Sequence, residues 1–165
     1  MNRLRMLLLA AWLGTAIFFS AVVAPSAFGV LRSFDLSNAS EIAGTIVGRT
    51  LSTVNRSGAV LSLLLLLTTL SVRKHFGRAS FIAQNVLLAI IVVVTAIGEL
   101  VIAPRMVALR TLMRGRIDQV PVSDPARVAF AALHAYSVGA LAVAMFAALV
   151  VLVLMVLGRE RAVAE

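Results

Sequence analysis

Few side chains in this sequence could do chemistry, and one acid stands out among them. Glu99 is the only carboxylate inside the long apolar stretches; Asn55, Arg56, Arg105, His134, Tyr136 and Ser137 are the polar residues that could meet it. An ionisable group at the centre of a membrane helix costs about 2.5 to 3.5 kcal/mol, and less towards the ends, so such groups turn into the bundle and find partners. One reading is structural: Glu99 pairs with Arg56 or Arg105, or accepts a hydrogen bond from Tyr136 or Ser137, and fixes the packing. The other is functional: the carboxylate relays protons or holds a ligand. His134 and Ser137 are three apart and share a helix face with Phe130 and Leu141, but they lead no further. Zinc needs three or four protein ligands and haem a defined axial residue, and His75 belongs to a loop at the opposite membrane face. A Ser-His dyad would need Glu99 as its third member, and there is no Gly-x-Ser-x-Gly turn. No catalytic residue, metal site or cofactor is expected, and an enzyme ranks behind a binding role. Without cysteine there is no thiolate metal site, iron-sulfur cluster or thiol catalysis.

The elements that position these residues are membrane helices. Of 165 residues 61% are hydrophobic, against about 45 to 50% in soluble domains, and the mean hydropathy is +1.04. The net charge of +8 does not indicate nucleic acid, because the basic residues sit at the ends of apolar runs and form no face interleaved with aromatics. The expected partner is the lipid bilayer, with another membrane protein or a second copy as further candidates. The pattern predicts an all-α integral membrane protein, a single domain over 1–165 with four helices at about 6–30, 42–72, 80–104 and 127–157, then a short charged tail, solvated and partly disordered, over 158–165. A signal peptide competes for the first run, but Pro25 would directly follow the cut after Ala24, which favours a retained helix. In the second helix Gly44, Gly48, Ser52, Asn55, Ala59 and Ser62 recur at intervals of three and four. Small residues so spaced let a neighbouring backbone approach, and a polar stripe lining a cavity is the alternative.

Four crossings put both termini and the Arg73 to Arg78 loop on one side. Pro25, Asn55, Arg56, Glu99, Pro104, Arg105, His134, Tyr136 and Ser137 then share the other half of the bilayer. The chain also repeats weakly: Val22-Val23-Ala24-Pro25 precedes Leu31-Arg32, and Val101-Ile102-Ala103-Pro104 precedes Leu109-Arg110. Two helical hairpins in the same orientation would give this pattern, as would chance in an Ala-rich membrane chain. Pro25 and Pro104 are expected near helix ends, with the Met106 to Met113 stretch either outside the third helix or continuing it as a second helical piece beyond a kink. Positive charges are nearly balanced across the two sides, but the N-terminus and the short loop are dense in them and free of acids, so the termini are expected in the cytoplasm.

Ala11-Trp12-Leu13-Gly14 with Phe18-Phe19, then Val23-Ala24-Pro25 and Phe28, resembles the bacterial domain of unknown function numbered 4149, which is similar to the eukaryotic transmembrane-protein-205 group. Ala43-Gly44 with Ile46-Val47-Gly48, Ala103-Pro104 with Leu109-Arg110, and Phe130-Ala131-Ala132-Leu133-His134 with Ser137 extend the resemblance over nearly the whole chain. It implies a four-helix protein of the bacterial inner membrane with no established activity; drug resistance and trafficking are associated with the eukaryotic relatives. Tyr136 and the apolar residues after Ser137 depart from the expected pattern. Two functions follow: a non-enzymatic bundle that binds or moves a small hydrophobic or protonatable ligand at the polar cluster, or an accessory or assembly subunit of a larger membrane complex.

Overall fold

The computed structural model describes residues 2–34, 36–69, 77–113, 115 and 117–164, with side chains at all of these except 2 and 158–164. The basic loop read from Arg73 to Arg78, with His75, lies largely outside the described residues. Helix α1 (Asn2–Phe18) runs through a π turn (Phe19–Val23) into α2 (Ala24–Ser33). α3 (Ala39–Leu67) follows, then α4 (Arg78–Ile97), which runs through a second π turn (Gly98–Ile102) into α5 (Ala103–Leu112). α6 (Pro125–Ala164) completes the chain. Four spans, Arg3–Ser33, Ala39–Leu67, Arg78–Leu112 and Pro125–Leu157, are long and apolar enough to cross a membrane. Among the described residues there is no strand. Helices satisfy their own backbone groups, as hydrocarbon requires.

The first helix runs past Pro25 as expected, and the third takes the continued path past Pro104 in place of ending there. A proline has no N–H, and its ring crowds the carbonyl four residues back. Each π turn absorbs that conflict directly before an Ala-Pro pair, with the Ala24 N–H reaching the Phe19 carbonyl and the Ala103 N–H reaching the Gly98 carbonyl. The repeat seen in the sequence therefore has a backbone counterpart. α6 continues through Ala164, beyond the helix end expected at about 157, since Arg, Glu and Ala after Gly158 are good helix formers. Its start is set by Asp124, whose Oδ1 accepts from the Ala126 and Arg127 N–H groups at 2.8 and 3.2 Å, ahead of Pro125 as the first helical residue. Asp124→Ala is expected to lower stability by about 1 kcal/mol, read as a shift of the thermal midpoint in detergent with the helix content unchanged.

Each span packs on its neighbours in sequence, and α6 closes the ring on α1. The apolar core gathers in the half that holds the termini, with Leu9, Trp12, Ala16, Leu88, Ile91, Ala148, Val151 and Met155 buried. Trp12 crosses to α3, where its Nε1 donates to the Val54 carbonyl at 3.0 Å and its ring lies where a side chain on Gly58 would stand. Nearer the termini Arg5 is buried, with its guanidinium donating to the hydroxyls of Thr69 and Thr68. Beyond the π turns the bundle loosens. Neither α2 nor α5 has a buried residue, and α2 rests on α3 while α5 rests on α6.

Candidate functional site

The second π turn brings its acid against α3. Oε1 of Glu99 accepts from the Ser52 hydroxyl at 2.8 Å and from Arg56 Nε at 2.6 Å. The pair is asymmetric: the Arg56 side chain is 70% exposed and that of Glu99 only 13%. Arg56 therefore keeps its charge at the periphery while the carboxylate is withdrawn among the helices. Oε2 of Glu99 is buried and has no hydrogen-bond partner. Next to it Gly98 is buried, and a Cβ there would stand 3.0 Å from Asn55 Nδ2, so the glycine is what lets buried Asn55 lie against the turn. At 1.5 Å per residue Glu99 lies about 31 Å along the third span from Arg78. With Arg78 at one edge of a hydrocarbon core about 30 Å thick, that depth is the opposite edge, where an ion pair is cheaper than at mid-membrane.

A second ion pair lies further out on the same two spans, between Arg110 on α5 and Glu41 at the start of α3. Arg110 also donates to the Gly115 carbonyl at 3.0 Å. As many residues separate Glu41 from Ser52 as separate Glu99 from Arg110, so the two links share one antiparallel register. Between them Gly44 and Gly48 are exposed, and a Cβ on either would meet nothing within 4 Å. The small-residue stripe thus divides. Asn55 and Ser62 are buried, whereas Gly44 and Gly48 look into open space, because past the π turn α5 rests on α6.

Of the residues singled out in the sequence, Glu99, Arg56 and Ser52 are joined by hydrogen bonds and Asn55 is adjacent. Arg105, His134 and Tyr136 are exposed, and Ser137 is buried. The donors to Glu99 are Ser52 and Arg56, and not Arg105, Tyr136 or Ser137. Ala59 is half-buried, and Pro25 and Pro104 follow the π turns. Sequence reasoning placed Ser52 on the packing stripe and gave no part to Arg5 or to the Glu41 and Arg110 pair. The antiparallel register would have aligned Ser52 and Glu41 with Glu99 and Arg110. Among the described residues no group of three or more His, Cys, Asp or Glu could hold a metal ion.

The model of a family described as a domain of unknown function, DUF4149, matches residues 7–114 of this chain. That stretch holds the first span from residue 7 onward, the whole of the second and third, both π turns and the Glu99 cluster; the Phe130 to Ser137 motif lies beyond it. No curated protein and no solved structure matches, and the likeness to the transmembrane-protein-205 group remains an expectation.

Proposed function

Because the chain belongs to the DUF4149 family, whose description carries no activity, we propose its function from the site: a non-enzymatic membrane bundle that binds or moves a small hydrophobic or protonatable ligand at Glu99. The unpartnered Oε2 of this otherwise engaged carboxylate carries the reading. A buried carboxylate oxygen without a donor is costly, and a proton or the N–H of an apolar amine would relieve it. Ser52 and Arg56 fix the carboxylate through Oε1, which leaves Oε2 as the variable acceptor. The depth at a bilayer edge and the open flank beside Gly44 and Gly48 favour entry from the side away from the termini.

The test is binding of a lipophilic amine, such as tritiated propranolol, to protein in nanodiscs. Glu99→Gln is expected to lower affinity at least tenfold, as loss of one charge-assisted hydrogen bond implies, with the thermal midpoint preserved. Equal binding by the variant would overturn the proposal, and loss of folded protein would make Glu99 structural. A second reading, an accessory subunit, draws on the open Gly44 and Gly48 face, on which the helix of a partner could pack. It predicts that gentle-detergent purification recovers a stoichiometric partner that Gly48→Leu releases.

We also place the protein in the bacterial inner membrane with its termini in the cytoplasm. On the far side Arg56 and Arg110 are engaged by acids, whereas the N-terminal and Arg73 to Arg78 basic residues have no acid beside them in sequence. A C-terminal alkaline phosphatase fusion is expected to be inactive and a C-terminal fluorescent-protein fusion bright; the reverse result contradicts the orientation.

A further inference from the structure

The third span is tied to α3 at two levels and leaves it open between them. The inner tie is Glu99 with Ser52 and Arg56, and the outer is the ion pair of Arg110 with Glu41. On each span eleven residues separate the two ties, about 16 Å at 1.5 Å per residue. Along that interval Gly44 and Gly48 face open space. The two spans therefore bound a window with the Glu99 cluster at its inner corner.

α5 is free to move at the outer edge of this window. It has no buried residue, and Pro104 at its start donates no backbone hydrogen bond to the π turn before it. Such turns are frequent at functional sites. Against α6 it leaves an open apolar groove of about 460 Å³ lined in part by Ala108, Ala129 and Ala132, and residues so small let two helices draw closer. Towards α3, among the described residues, it is bonded through Arg110 and Glu41. Those side chains are 28% and 32% exposed, so water and salt compete for the pair and it opens readily.

We infer that the Glu41 to Arg110 pair is a strap across the window. Closed, it holds α5 towards α3 and limits access to Glu99. Released, it lets α5 pivot at the second π turn onto the alanine floor of the groove, which opens Glu99 to the side away from the termini. As regulation of a binding site, this role rests on the ligand reading of Glu99. The two strap residues are not equivalent. Arg110 also holds the end of α5 through the Gly115 carbonyl, so Glu41→Gln releases the strap while that bond stays.

The chain has no cysteine, so Ser52→Cys places a single thiol beside Glu99. Its labelling rate with a short uncharged glycol maleimide, on the full chain in nanodiscs, reads the window without any ligand. Glu41→Gln is expected to raise that rate about two- to fivefold, the change in an opening equilibrium that loss of a partly exposed ion pair gives. Salt at about 0.5 M should raise it similarly while Glu41 is present, through screening of the pair, and add little to Glu41→Gln. Ala132→Leu, which fills the floor, should cancel both gains. In a Thr53→Cys reporter, at the same depth on α3 but exposed, the rate should not respond to Glu41→Gln. A Ser52→Cys rate indifferent to Glu41→Gln and salt, a gain shared by the Thr53→Cys reporter, or a gain that survives Ala132→Leu would each overturn the inference. If amine binding fails while this labelling pattern holds, the ligand reading falls and the strap stands; amine binding with an unresponsive rate removes the strap alone.

Discussion

Gly58→Ala is expected to destabilise the bundle by about 2 to 4 kcal/mol, the largest effect of any single added methyl group in α3. A Cβ at Gly58 would lie 2.6 Å from Cζ2 of Trp12 and 2.8 Å from its Nε1, so the indole must move. Moving it strains the packing around a ring buried in the core, an overpacking cost of about 1 to 3 kcal/mol. It also breaks the Nε1 bond to the Val54 carbonyl at 3.0 Å. Inter-helix hydrogen bonds in membranes average about 0.6 kcal/mol, so the steric part dominates. That ranking is testable. Trp12→Phe removes the hydrogen bond and part of the ring, and the double variant should be less destabilised than the sum of the singles by at least about 1 kcal/mol. Strict additivity would show that the two residues are not coupled. Gly44→Ala is the control in the same helix: nothing lies within 4 Å of the new methyl, and the change should be neutral or stabilising by up to about 1 kcal/mol. Reversible unfolding in mixed micelles measures all four proteins.

Gly44, Gly48 and Gly58 show what the sequence made legible and what it left hidden. The four-span all-helical architecture follows from apolar run length, and the small-residue face of the second helix follows from periodicity. Which of those small residues are in contact depends on the path of the third span, and that path is set by a π turn. Nothing in one sequence distinguishes a proline that ends a helix from one preceded by a turn that accommodates it, because both leave the same missing N–H. The paired Ala-Pro motifs were the one available sign. For the candidate site, an acid on the third helix and an arginine on the second were enough to expect a pairing. Glu41 was not paired because it stands one residue before the expected start of the second helix at about 42, and Arg5 because an arginine at the edge of an apolar run reads as a topology signal. Its burial arises from the end of α3, where Thr68 and Thr69 meet it.

Thr69→Val is the second large prediction, and its sign rests on an asymmetry between removing a charge and stranding it. Arg5 is only 4% exposed, and its Nε has no partner. Among the described residues no acid pairs with it; its stabilising contacts are the Thr69 hydroxyl at 3.0 Å, the Thr68 hydroxyl at 3.4 Å and the negative end of the α3 dipole. Removing the Thr69 hydroxyl leaves a buried guanidinium with its weakest bond alone, a loss of about 2 to 3 kcal/mol. Arg5→Met instead removes the cation while keeping most of its volume. Thr69 is not stranded by that change, because its hydroxyl also donates to the Leu65 carbonyl at 2.6 Å. Arg5→Met is therefore expected to be neutral or mildly stabilising, as replacement of a buried charge by an apolar side chain often is. Arg5→Met combined with Thr69→Val should recover most of what Thr69→Val alone loses. If Arg5→Met is instead as damaging as Thr69→Val, the guanidinium contributes net stability through the helix end, and the dipole at α3 outweighs the desolvation of the charge.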